Sequence, residues 1–210
     1  MKKSILALVM LSLASFSTLG NVANAEEIVS DELGTEQSID INDPTSQVSE
    51  ILTFEEITEE IASDLEISIT EAQELVVDNS VTQSRMSAQA ATYRTLSQQF
   101  TVTSSYKPTM RFYCQTSESG SFHGILKIMN VNMIRGYNGV TKQFSGTVYV
   151  NLERSDKIFY IVNGDFYNNG TTTVNTGVSI GVGKQASINF GVSKSSNHYK
   201  YRYVESYYNW

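Results

Sequence analysis

From Leu96 to the C-terminus, apolar residues recur at every second position in short runs, separated by Gly- and Asn-containing breaks. In FSGTVYVNL, Phe144, Val148, Val150 and Leu152 share one face, and Val174, Val178 and Ile180, then Ile188, Phe190 and Val192, repeat the pattern. A period of two is the signature of a half-buried strand. The pattern predicts strands over 97–105, 109–116, 122–134, 143–152, 157–162, 172–180, 186–194 and 198–207. Gly136-Tyr137-Asn138-Gly139, Asn163-Gly164-Asp165 and Asn168-Asn169-Gly170 read as turns between them, since Asn-Gly accepts the positive φ of tight hairpins. Seven or eight short strands in about 118 residues (93–210) without a helical period predict a mainly β fold, an antiparallel β-sandwich.

Upstream the period changes. Phe54, Ile57, Ile61 and Leu65 lie on one helical face, and Thr53 with Glu56 has capping-box spacing. A second cap, Thr70 with Gln73, opens a shorter stripe of Ala72, Leu75 and Val76. The spacing predicts a short acidic helical segment of two helices over about 53–78. Glu26 to Ser49 lacks aromatics and sustained periodicity and reads as a disordered leader; Ser80 to Thr92 reads as a linker open to proteolysis.

The first 25 residues stand apart. Lys2 and Lys3 precede the apolar run ILALVMLSLASF, and Ala23-Asn24-Ala25 supplies the small residues of a signal-peptidase site. A signal peptide cleaved after Ala25 is expected, and with it a secreted, extracellular protein.

Charge sharpens the division at Tyr93. Glu26–Thr92 holds 17 acidic residues against one basic residue, Arg85, whereas Tyr93–Trp210 holds 12 basic against five acidic. An acidic leader or pro-segment (26–92) joined to a basic all-β domain (93–210) is the expected organisation. EEITEEIASDLEISITEAQEL resembles a helix-turn-helix in spacing. Its second helix carries Glu71, Glu74 and Asp78 and no cation, which opposes phosphate binding, so no nucleic-acid partner is expected.

Candidate chemistry is sparse. A single Cys, Cys114, excludes an intramolecular disulfide framework, and two His, His123 and His198, do not space as ligands, so neither metal nor cofactor is expected. Met110, Phe112 and Cys114 alternate onto one face, which suits a buried thiol; its alternative is a nucleophile paired with a histidine. Glu118, Glu153, Asp156, Asp165 and Glu205 are the only carboxylates of the β half, and none forms a recognisable catalytic pair.

The ending HYKYRYVESYYNW stands out. Tyr199, Tyr201 and Tyr203 are expected on one face of a strand and Lys200 and Arg202 on the other, with Trp210 closing the chain. Amphipathic rings beside cations suit an anionic cell-wall polymer, a membrane surface or an extracellular protein partner. The arrangement of signal peptide, acidic helical leader and Tyr/Asn/Gly-rich β domain resembles uncharacterised exported proteins of Gram-positive bacteria, and YYNW is similar to the tail of the lactococcin 972-type bacteriocins. The expected function is a secreted, non-enzymatic β-sandwich module that binds an anionic extracellular surface or a protein partner. Two alternatives stand beside it: a bacteriocin-like protein released from an acidic pro-segment, which the last resemblance implies, and an extracellular hydrolase using Cys114 with a histidine.

Overall fold

The computed structural model describes residues 45–77, 90–174 and 177–210. The signal peptide with its cleavage site at Ala25, most of the leader and the core of the 80–92 linker lie outside the described residues. All described elements belong to one compact unit, Glu32–Trp210.

Two antiparallel sheets face each other across one core. The first runs β1 (Ser46–Val48), β2 (Thr92–Gln99), β3 (Thr109–Ser119), β4 (Phe122–Ile134) and β9 (Ile180–Gly181). The second consists of β7 (Gln143–Arg154), β8 (Lys157–Val174) and β10 (Lys184–Asn209), closed on itself because β10 borders both of the others. Residues 184–190 of β10 lie along β7, and residues 190–209 lie along β8. A small hairpin, β5 (Gly136–Tyr137) and β6 (Val140–Thr141), turns at Asn138 and Gly139, both at positive φ, where the Asn-Gly signal places it.

The core is built from the period-two apolar positions: Phe112, Cys114 and Met133 from the first sheet meet Phe144, Val148, Val150, Leu152 and Val162 from the second. Polar bridges cross it at Tyr208, whose hydroxyl donates to the Gln47 carbonyl at 2.9 Å, and at Gln98. Tyr160 donates to Gln98 Oε1 at 2.8 Å, and the Gln98 amide donates to Ser46 and to the Tyr207 carbonyl, so buried polar atoms are satisfied in pairs.

Helices α1 (Phe54–Leu65) and α2 (Ile69–Val76) cover the other face of the first sheet. Phe54, Ile57, Ile61, Ala72 and Val76 are buried against Tyr93, Tyr113 and Met129. The α1 cap is Thr53 with Glu56, as the spacing predicts. The α2 cap is Ser68 with Glu71, two residues earlier than predicted, because Ser68 is the extended residue and Thr70 lies inside the first turn.

Opposite charge also joins the layers. Asp64 accepts hydrogen bonds from Arg111 and, at 2.5 Å, from the Tyr113 hydroxyl, while its backbone carbonyl takes the Asn132 amide at 3.1 Å. Burial opposes the charge on Arg111, but Asp64 and Glu60 outweigh it and hold the guanidinium above its ordinary value. Magnitudes rank the contributions: a partly exposed ion pair gives at most about 1 kcal/mol, whereas each fully buried Ile or Phe gives about 2 kcal/mol. Apolar burial holds the acidic helices in place.

Several predicted boundaries are corrected. The first strand of the β half is 92–99, not 97–105. Thr95 and Gln98 look like surface residues but are buried, since both faces of β2 are covered and their polar atoms are bonded to Glu60 and Tyr160. Residues 46–48 of the expected leader form an edge strand on β2. Asn163-Gly164-Asp165 and Asn168-Asn169-Gly170 are not turns but lie inside β8, and 172–180 is not a separate strand. Gly164 pairs with Gly146, and a Cβ on Gly164 would meet Ser145 O at 2.3 Å, so glycine serves close strand approach rather than reversal. The predicted strands 186–194 and 198–207 are one strand, β10, with register shifts between Ser193 and Ser196, where Lys194 takes positive φ, and between His198 and Lys200.

Candidate functional site: the outer face of the β7–β8–β10 sheet

The residues that alternate with the buried set on β7, β8 and β10 form a regular grid on the outside of the second sheet. Pairing aligns Gln185, Asn151, Phe159 and Tyr207 in one row and Ser187, Tyr149, Ile161 and Glu205 in the next. Asn189, Thr147, Asn163 and Tyr203 make the third row. Tyr201 continues the β10 column beside Asp165 and is 52% exposed. With strands about 4.8 Å apart and pairs of residues about 6.7 Å long, the grid measures roughly 14 by 20 Å.

Three rings are contiguous across the grid. Tyr149 and Phe159 stand 6.1 Å apart between centroids, and Phe159 and Tyr207 stand 4.9 Å apart. Lys157 Nζ sits 4.0 Å from the Tyr207 ring centroid and pairs with Glu153 at 2.9 Å. Polar neighbours lock one another: Tyr149 donates to Gln185 Oε1, Thr147 to Asn189 Oδ1 at 3.1 Å, and Tyr201 to Asn163 Oδ1 at 3.0 Å. In each pair the amide oxygen is used and the amide N–H groups of Gln185, Asn189 and Asn163 are left to donate outward. Tyr203 donates to Glu205, and that hydrogen bond raises its hydroxyl pKa. Glu153, Asp165 and Glu205 against Lys157 make the face acidic rather than cationic.

The residues expected to share a surface are divided by the fold. Tyr201 and Tyr203 lie on this face. A register shift between His198 and Lys200 takes Tyr199 off it, and Tyr199 instead bonds to Thr103 at 2.8 Å and meets the Tyr106 ring edge-on at 6.0 Å, with Lys142 over its own ring. Arg202 shares the inward parity of Val204 and donates to the Thr101 carbonyl at 3.2 Å, while Lys200 is half-buried opposite Phe166. Trp210 sits at one end of the sandwich, 4.7 Å from His123 and beneath Arg94. The tyrosines point outward and Arg202 toward the interior edge, because the parity of β10 is set by Val204, Ser206 and Tyr208 in the core.

The nucleophile candidates do not converge. Cys114 is fully buried in the core, its Sγ against the Phe112 carbonyl, and burial pushes the thiol well above its ordinary range. His123 stacks on Trp210, and His198 bonds to Asp165 at 2.8 Å on the opposite strand. Among the described residues no cluster of His, Cys, Asp or Glu is arranged to hold a metal ion. Tyr149, Phe159 and Ile161 are residues of this candidate face that the sequence pattern does not single out. Their signal is the complement of the buried pattern: the positions facing away from the core are Ser145, Thr147, Tyr149 and Asn151 in FSGTVYVNL, and Lys157, Phe159 and Ile161 in KIFYIV. Comparison with known protein families, curated proteins and solved structures finds no match to this chain.

Proposed function

We propose that the protein is a secreted, non-enzymatic binding module that holds an N-acetylated glycan of the cell wall on the outer face of its β7–β8–β10 sheet. The observation that carries this reading is the contiguous Tyr149–Phe159–Tyr207 stack flanked by outward amide donors. A sugar ring offers an apolar C–H face and equatorial oxygens. Aromatic rings take the first, and amide N–H groups take the hydroxyl and acetamido oxygens. The hydrogen bonds within the face fix these groups beforehand, which lowers the ordering cost of binding. The acidic balance of the face favours an uncharged polymer over an anionic one.

Purified peptidoglycan with and without its anionic polymers tests the proposal. The protein should sediment with both, with weak dependence on salt, and Phe159→Ala with Tyr207→Ala should reduce retention by about tenfold or more. Retention that requires the anionic polymer, or that ignores the loss of both rings, would overturn it.

A further inference from the structure

One end of the sandwich carries a second surface that the glycan reading does not use. Three of the eight exposed large hydrophobic side chains among the described residues gather there: Phe122 at 59%, Leu126 at 49% and Val182 at 48% exposure. Their convergence follows from the pairing. Phe122 starts β4 just after the turn at Gly120, and its ring lies over Gly124, where an added Cβ would also meet Ser155 of the β7–β8 turn at 3.3 Å. Ile125 N–H donates to the Ser155 carbonyl at 2.7 Å, and Gly183 N–H donates to the Leu152 carbonyl at 2.7 Å, tying the β4 start and the β9–β10 turn to the same end. Lys127 pairs with Gly181, so Leu126 and Val182 are the next residues along that ladder. Leu126 is also the residue skipped where Thr116 pairs with Ile125 and Gln115 with Lys127, and a bulge of this kind re-aims its side chain.

The polar surroundings fit one kind of partner. Glu118, Glu153 and Asp156, the carboxylates of this end, are already held by Arg94, Lys157 and Arg154. Lys127, which lines a groove together with Glu74, and Lys184 make no ion pair among the described residues, and with Glu74 set against one of them this end keeps one cation in excess. Trp210 is tied to Asp156 through its backbone N–H at 2.9 Å and stacks on His123, placing an amphipathic indole at the same level. Exposed aliphatic and aromatic tips ringed by cations and an indole suit a water–lipid boundary.

We propose that this end docks on an anionic bilayer, with Phe122, Leu126 and Val182 entering the headgroup boundary and Lys127 and Lys184 meeting lipid phosphates. The three apolar side chains lie outside the glycan face, and the two surfaces adjoin at the Glu153–Lys157 pair.

Residues 26–210, which contain the whole compact unit, provide the test with vesicles of phosphatidylglycerol and of phosphatidylcholine. Trp210 is the only tryptophan of the chain and reports on this end directly. The protein should sediment with phosphatidylglycerol vesicles and not with phosphatidylcholine alone, and its emission should shift to the blue. Phe122→Ser with Leu126→Ser should lower partitioning by about tenfold, and Lys184→Glu by about fivefold. Phe159→Ala with Tyr207→Ala should leave vesicle binding intact, which separates this proposal from the glycan reading. Absence of binding to the anionic vesicles overturns the proposal. So does binding that ignores the apolar substitutions, or that leaves the Trp210 emission unmoved.

Discussion

At the scale of single residues, burial decides what each reactive group can do. Cys114 has the composition of a nucleophile and the surroundings of a core methyl group. It should resist a thiol reagent such as Ellman's in the native protein and react only at the rate of unfolding, while Cys114→Ala should cost about 1–2 kcal/mol of stability. A thiol that titrates in the folded protein would contradict this. Tyrosines carry the pH dependence. Burial, with a contribution from Glu55 for Tyr93, pushes the hydroxyls of Tyr93 and Tyr106 up from 10 to about 12. The unfolded chain then loses these protons first, so their contribution is complete below pH 10 and is lost as the pH climbs toward 12. Urea midpoints measured across that range should fall steadily, and a flat profile would show that the rings are wet.

At the scale of elements, the sequence and the structure part company at particular residues. The α1 cap at Thr53 and the hairpin at Asn138-Gly139 are legible because each is a local signal read locally. The α2 cap is displaced because Ser68 and Thr70 offer similar chemistry, and only the extended backbone of Ser68 selects between them. Polar β2 is hidden from a period-two reading, since helices cover its far side and Thr95 finds Glu60 there. Gly164 misleads most. Asn-Gly-Asp has turn composition, yet its glycine faces Gly146 across the ladder and its Asn and Asp point to solvent. Gly164→Ala should therefore behave as a core overpacking change, costing about 2–3 kcal/mol in a denaturant titration. A turn glycine at ordinary φ would tolerate alanine nearly without loss.

At the scale of the whole molecule, charge asymmetry and architecture tell different stories. Nine acidic residues and no basic one lie between 45 and 77, which by composition is a detachable leader. In the fold the same segment supplies an edge strand, two helices and a buried apolar cluster that covers Tyr93, Tyr113 and Met129. Fragments 26–77 and 90–210, prepared separately, should reassemble on mixing into a complex that survives gel filtration at high salt, because burial outweighs charge. Dissociation by salt alone would mean that electrostatics hold the layer, as a removable mask requires. The candidate site was only partly visible for a related reason. Tyr201, Tyr203 and Tyr207 are conspicuous in sequence, but Tyr149 and Phe159, which complete the stack with Tyr207, come from β7 and β8, and register alone brings them onto the same face.

The most direct measurement is backbone amide NMR of residues 26–210 titrated with soluble peptidoglycan strands. Shifts should concentrate at 145–151, 157–165, 185–189 and 201–207, with the helices and the Phe122 end silent. Shifts centred on the helical layer, or none at saturating glycan, would contradict the glycan reading.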